Sequence, residues 1–318
     1  MGCNLQGGDK IEGIGPAGEI SELFGGFEFT EGPATDGKGN LYFTDIPNDR
    51  INLVDAEGKL SVFLEPAGHC NGLMFDQQGL LYACSMDGAL ISVNTATKEV
   101  TPLAPEFEGK RFNAPNDIVL DKTGGIYFTD PRFRAPDPWP QTVEAVYYRA
   151  ADGTVKRLIE DRIAPNGVIL SPDETKLYVI PSKETTMFVY PVEAPGQLGA
   201  GSPFCELAQP EDITRRGGGD GLTIDTNGNL YITSSLGVQV FSPDGTHLGN
   251  IEFPQQPANC TFGGPENKTL YVTARTGLYS VQMEVAGHIF TGKVAESAEE
   301  TKTTDASDAP DESVTNSN

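Results

Sequence analysis

The feature that most constrains this chain is a repeat. Six segments share one form: GNLYFTD at 39–45, GLLYACS at 79–85, GGIYFTD at 124–130, TKLYVIP at 175–181, GNLYITS at 228–234 and KTLYVTA at 268–274. Their tyrosines, Tyr42, Tyr82, Tyr127, Tyr178, Tyr231 and Tyr271, lie 40, 45, 51, 53 and 40 residues apart. Each segment is a β-branched and aromatic run behind a polar turn such as DGKGN or DTNGN, the chemistry of a strand leaving a tight hairpin. A period of this length holding several short strands is the mark of radial repetition. Six repeats predict an all-β fold, a six-bladed β-propeller.

A second set of segments fills in the blades. Behind each tyrosine strand comes another (RINLVDAEG, ALISVNTAT, AVYYRAADG, MFVYPVEAPG, VQVFSPDG, GLYSVQM), and five repeats add a fourth (KLSVFLEP, EVTPLAP, TVKRLIE, SPFCELA, THLGNIEFP). Blades are therefore four-stranded. The sixth repeat lacks its outer strand, and GEISELFGG at 18–26 resembles the others, so the last blade is expected to be closed by this N-terminal strand, removing an open edge. This divides the chain into a flexible segment 1–17, a propeller 18–293 and a tail 294–318. The tail carries seven acids against one Lys and no Leu, Ile, Phe or Tyr, a composition that predicts disorder.

The formal charge is −23, from 22 Lys+Arg and 45 Asp+Glu, which argues against nucleic-acid or anionic-membrane partners. No apolar run approaches the ~20 residues of a membrane span. Met-Gly-Cys at the start matches a lipoprotein signal trimmed to a lipidated Cys3, implying a periplasmic or lipid-anchored protein. It equally matches an ordinary cytoplasmic start. Cys3, Cys70, Cys84, Cys205 and Cys260 form no C-x-x-C pair and read as small buried side chains.

Just upstream of each tyrosine strand stands an oxygen-bearing side chain: Glu31, Asn71, Asn116, Asn166, Asp220 and Asn259. Their offsets to the next tyrosine are 11, 11, 11, 12, 11 and 12. Equal offset in equivalent blades means equivalent position, so all six are expected at one mouth of the central channel. Two carboxylates and four carboxamides are hard donors that suit Ca²⁺, with Mg²⁺ or Mn²⁺ as substitutes. A plainer reading takes Asn-Gly and Asp-Gly as turn dipeptides. Asp36, Asp76, Asp121 and Asp225 also repeat, but sit in the hairpin turns and are expected to be structural.

Around these residues, EGPATDGKGNLYFTD, APNDIVLDKTGGIYFTDP, PNGVILSPDETKLYV and GGDGLTIDTNGNLYIT resemble the gluconolactonase/SMP-30 (regucalcin-like) family of six-bladed propellers, over about Glu31 to Arg275. The resemblance implies one divalent cation at the channel mouth, held by Glu31, Asn166 and Asp220, with Asn116 as a further metal or substrate contact. It implies hydrolysis of a lactone, typically a sugar lactone such as glucono-1,5-lactone. The cation would polarise the carbonyl, and Asp220 would serve as general base. No Ser-His-Asp set or G-x-S-x-G elbow is evident.

Two departures stand out. The animal branch of the family places an Arg two residues before the PND-type Asn, where this chain has Ala114. A further substrate acid has no counterpart in DPRFRAPDPWP. Substrate contacts are therefore sought among His69, Asn71, Asn116, Asn259, Arg132 and Arg134, with Trp139 either a lid or a loop anchor. Two other functions stay open. One is a phosphotriester hydrolase using the same metal; the other is a non-enzymatic binding propeller that calcium merely stabilises.

Overall fold

A computed structural model describes residues 10–211 and 217–292. Six antiparallel sheets form the blades of a propeller. Blade 1 comprises Thr30–Thr35, Leu41–Asp45, Arg50–Val54 and Leu60–Leu64; blade 2 comprises Cys70–Phe75, Leu80–Ser85, Ala89–Asn94 and Val100–Ala104. Blade 3 comprises Ile118–Leu120, Ile126–Asp130, Ala145–Arg149 and Val155–Ile159. Blade 4 comprises Pro165–Leu170, Lys176–Pro181, Thr186–Ala194 and Ser202–Glu206, with the two-residue strand Gln197–Leu198 added to its third strand. Blade 5 comprises Leu222–Ile224, Leu230–Ser234, Gly237–Phe241 and His247–Ile251. Blade 6 comprises Pro257–Gly263, Thr269–Ala274 and Gly277–Gln282, and Ser21–Gly25 pairs antiparallel with the last of these. The expected N-terminal closure is therefore present, and it ties the start of the ring to its end.

The repeated tyrosines show why this sequence folds so. Tyr127, Tyr178 and Tyr231 are almost wholly buried between blades. Such rings supply large apolar area, but the hydroxyl needs a partner. The hairpin acids provide it: Tyr82 donates to Asp76 at 3.2 Å and Tyr231 to Asp225 at 3.0 Å. The other oxygen of these carboxylates accepts from the turn's own backbone, as Asp225 does from Asn227 and Asn229. The hairpin acids are thus structural, as expected. Cys70, Cys84, Cys205 and Cys260 are buried free thiols, while Cys3 and residues 293–318 lie outside the described residues.

Residues 10–17 differ from the expectation of flexibility. Ile11 and Ile14 are buried in the apolar cluster of blades 5 and 6, and the Ala17 N–H donates to the Gln282 carbonyl at 2.7 Å. Two isoleucines in an otherwise polar run are enough to seat the segment there. Beyond blade 6 the chain crosses the hairpin-turn end of the channel. The His288 N–H donates to the Ile224 carbonyl and the Gln77 N–H to the Thr291 carbonyl. That end is covered, which leaves the opposite mouth as the open one. Among the described residues no helix is long and apolar enough to cross a membrane.

Candidate active site at the channel mouth

Glu31, Asn71, Asn116, Asn166 and Asp220 line one cavity of about 370 Å³ at the open mouth. Five of the six residues expected there are therefore together. The local backbone explains how they are aimed. First-to-second strand pairing slips at Glu31/Ala34, Cys70/Leu73, Pro165/Gly167 and Pro257/Asn259. Such bulges turn a side chain out of the regular pleat and often border active sites.

The glycines are not turn residues here. Gly32, Gly72 and Gly167 lie within first strands, and each faces the neighbouring blade. A Cβ on Gly32 would fall 1.8 Å from the Asn71 carbonyl oxygen, and one on Gly167 would fall 2.6 Å from that of Asp220. The blades touch backbone to backbone at this ring, and the Gly167 N–H donates to the Asp220 carbonyl at 3.0 Å. Only glycine allows that approach.

Threonine completes the support, and its recurrence two residues after the tyrosine is visible in the repeat. Thr44, Thr129, Thr233 and Thr273 each stand two residues after a repeat tyrosine and are fully buried. Thr129 Oγ1 donates to the Asn166 carbonyl at 2.7 Å, and Thr44 Oγ1 to that of Asn71 at 3.3 Å. Threonine on one blade thus fixes the ring residue of the next.

The electrostatics are those of carboxylates held away from water. Burial, then the charge of Asp220, pushes the Glu31 carboxyl well above its ordinary value, against hydrogen bonds from Gly32 N–H and Asn259. Burial pushes Asp220 up to about 6, opposed by the Asn166 amide, whose Nδ2 donates at 2.5 Å. The same Nδ2 donates to Ser182 Oγ at 2.8 Å. Asp117, which the sequence reading did not single out, is buried beneath the ring. Burial raises it to about 7, against donation from the Val168 and Ile118 N–H groups. Asn71 Oδ1 is buried with no hydrogen-bond partner.

This donor set fits a hard cation. Among the described residues no three His, Cys, Asp or Glu side chains converge to hold an ion by themselves. The set is instead two acids supplemented by carboxamide oxygens, one of them orphaned, which matches the oxygen-rich sites of Ca²⁺.

Of the remaining candidates, Arg134 lines the cavity and His69, Asn259 and Arg132 do not. Asn259 turns inward, accepts from the Cys260 N–H at 2.8 Å and supports Glu31. His69 pairs with Asp87 at 3.1 Å and does not line the mouth cavity. Arg132 donates to the Thr142 carbonyl at 2.7 Å and stacks 3.6 Å over Trp139, so the pair anchors its own loop. The next residues on that loop, Phe133 and Arg134, reach the cavity instead. Ala114 is buried in an apolar cluster with Ile46 and Met86.

A six-bladed propeller with an acid-and-amide ring at one channel mouth defines the class of protein. Residues 29–276 match the family described as SMP-30/Gluconolactonase/LRE-like region, and the chain belongs to that family. It is 31% identical to a gluconolactonase of Zymomonas mobilis, the match covering 84% of this chain and 82% of that one. A gluconolactonase structure from Xanthomonas campestris is 26% identical, with a TM-score of 0.79 over 89% of this chain and 97% of that one. Regucalcin of Agrobacterium tumefaciens, described as a calcium-binding protein, shares the fold at 24% identity and a TM-score of 0.71, covering 85% and 94% of the two chains.

Proposed function

We propose that this protein is a hydrolase of carboxylic ester bonds that opens sugar lactones, and that it works with one divalent cation at the channel mouth. Family membership supports the lactonase class, since the matched relative from Zymomonas mobilis is a gluconolactonase. The observation that carries the metal reading is the placement of the buried Glu31 and the half-buried Asp220 around one cavity with the unpartnered Asn71 Oδ1. Glu31, Asn116, Asn166 and Asp220 are the residues that would hold the ion, Ca²⁺ by its donor preference, with Mg²⁺ or Mn²⁺ as substitutes.

When bound, the cation supplies Lewis-acid polarisation of the lactone carbonyl. The protein's own part is proton transfer and orientation. Without the ion, burial holds the Asp220 carboxyl at about 6, so it is ionised at neutral pH and is the acid placed to accept a proton from the attacking water. The Asn166 amide donates to one Asp220 oxygen and so fixes the orientation of the carboxylate. Arg275 provides a nearby positive charge that favours the ionised form.

The test is proton release from glucono-1,5-lactone by chelated protein, before and after adding Ca²⁺, Mg²⁺ or Mn²⁺, above the spontaneous rate. Activity restored by one cation supports the reading and names the ion. A metal-dependent gain in melting temperature without turnover of any lactone would reduce the ring to a structural device. Phosphotriesters would then be the next substrates to assay.

A further inference from the structure

We propose that the mouth cavity contains an apolar subsite beside the ring, so that lactones bearing an alkyl or aryl substituent are substrates, favoured over the unsubstituted ring. This rests on the lactonase reading and refines it. Around the ring the polar lining of the cavity is Glu31, Asn71, Asn116, Asn166, Ser182 and Asp220. The other lining residues are Phe29, Ile46, Pro47, Met86 and Phe133, with Arg134 the sole charge among them. Behind this wall Ile46 and Met86 pack with the buried Ala114, and Phe29 packs on the same cluster. Its apolar character is therefore backed by core.

Phe133 forms the outer part of the wall. It is 45% exposed, on a loop held by specific hydrogen bonds. The fixing is specific: Glu144 accepts from the N–H groups of Arg132 at 3.0 Å and Ala164 at 3.1 Å. Arg132 also holds the Thr142 carbonyl and Trp139. The loop is thus built, and what it presents to the cavity is an uncovered aromatic face. A cavity of about 370 Å³ with apolar walls and a small polar floor is the form of a small-molecule site. A hydroxyl pressed to the Phe29, Ile46, Met86 and Phe133 part of this wall would lose water with no side-chain partner, Arg134 being the one donor beside it, whereas each methylene would gain.

The experiment measures kcat/KM on the full chain, with its activating cation, for δ-valerolactone, δ-hexalactone, δ-octalactone and δ-decalactone. The wild type should rise with chain length by roughly two- to four-fold per methylene, the upper end being full burial. Phe133→Ser, at an exposed loop position, should flatten that slope, lowering the decalactone-to-valerolactone ratio several-fold. A flat or falling series in the wild type, or an unchanged slope in Phe133→Ser, overturns the subsite and leaves the lactonase reading intact. Hydrolysis of none of these lactones, nor of glucono-1,5-lactone, with any cation overturns both.

Discussion

Asp220→Asn should stabilise the metal-free protein while removing its turnover, and the gain should depend on pH in a defined direction. In the fold, burial raises Asp220 from 3.8 to about 6. A carboxyl raised by folding is not penalised below its unfolded value, where both states are protonated. The cost begins as pH climbs past 3.8, because only the unfolded chain then ionises, and is complete above about 6. The difference of about 2 units, at 1.36 kcal/mol each, makes the ionised Asp220 cost up to about 3 kcal/mol at pH 8. Asparagine avoids that cost and retains an oxygen to accept from the Asn166 Nδ2, now at 2.5 Å. It also relieves Glu31, which the Asp220 charge pushes upward. Urea unfolding in chelator should therefore show wild type and variant alike at pH 4 and separated by roughly 3 kcal/mol at pH 8, or roughly 6 °C in melting temperature. Added Ca²⁺ should narrow the gap by stabilising the wild type alone. A variant equal to or weaker than wild type at pH 8 in chelator would refute the claim that Asp220 is held ionised at a cost.

Three further outcomes are expected. Glu31→Gln should weaken cation binding by roughly ten-fold or more, since ligand charge sets affinity at such sites; calorimetric titration showing unchanged affinity would remove Glu31 from the set. Gly32→Ala should cost about 4 kcal/mol in urea unfolding, because its Cβ would fall 1.8 Å from the Asn71 carbonyl oxygen at a φ of +44°. Full stability in that variant would mean the blades do not meet backbone to backbone. Thr129→Val should cost about 1–3 kcal/mol by stranding the buried Asn166 carbonyl. Its kcat should fall as well, because that carbonyl sets the aim of Asn166, and an unaltered kcat would limit Thr129 to stability.

Much of the fold was legible because each blade repeats its own instructions. A strand period of 2 behind a polar turn locates the strands, and the equal offsets locate the ring without any coordinates. The sites off the repeat were not legible in the same way. His69 sits two residues before Asn71, yet its ring turns to Asp87, since a residue at φ +49° leaves the strand direction. Arg132 was a reasonable substrate contact by position, but Trp139 and the Thr142 carbonyl claim its guanidinium. Their loop belongs to one blade only, so no second copy exists in the sequence against which to read it. Asp117 was missed for a different reason. Its position is held by Gly72 in blade 2, so the repeat did not mark it as polar. The space beside Gly72, where a Cβ would stand 2.9 Å from Asp117 Oδ1, is where that carboxyl fits.

The ring also shows how a symmetric scaffold makes an asymmetric site. Glycine and threonine recur around the channel and fix where a side chain stands, while leaving its identity free. Selection of that identity has placed the acids in blades 1 and 5, with an amide on the blade between them. Asn259 of blade 6 hydrogen-bonds Glu31, and Asn166 of blade 4 hydrogen-bonds Asp220. Each acid thus has a carboxamide neighbour that lowers the cost of its charge. Replacing both amides with apolar residues of similar size would push both carboxyls further up, toward the protonated form, and a protonated pair neither attracts a cation nor accepts a proton. On the proposed reading the amides therefore tune the two acids even where they touch neither ion nor substrate. By that argument Asn259→Leu should weaken cation affinity although Asn259 lies outside the mouth cavity, and the loss should be partly recovered by raising the pH of the titration. A pH-independent loss would assign Asn259 a merely steric role.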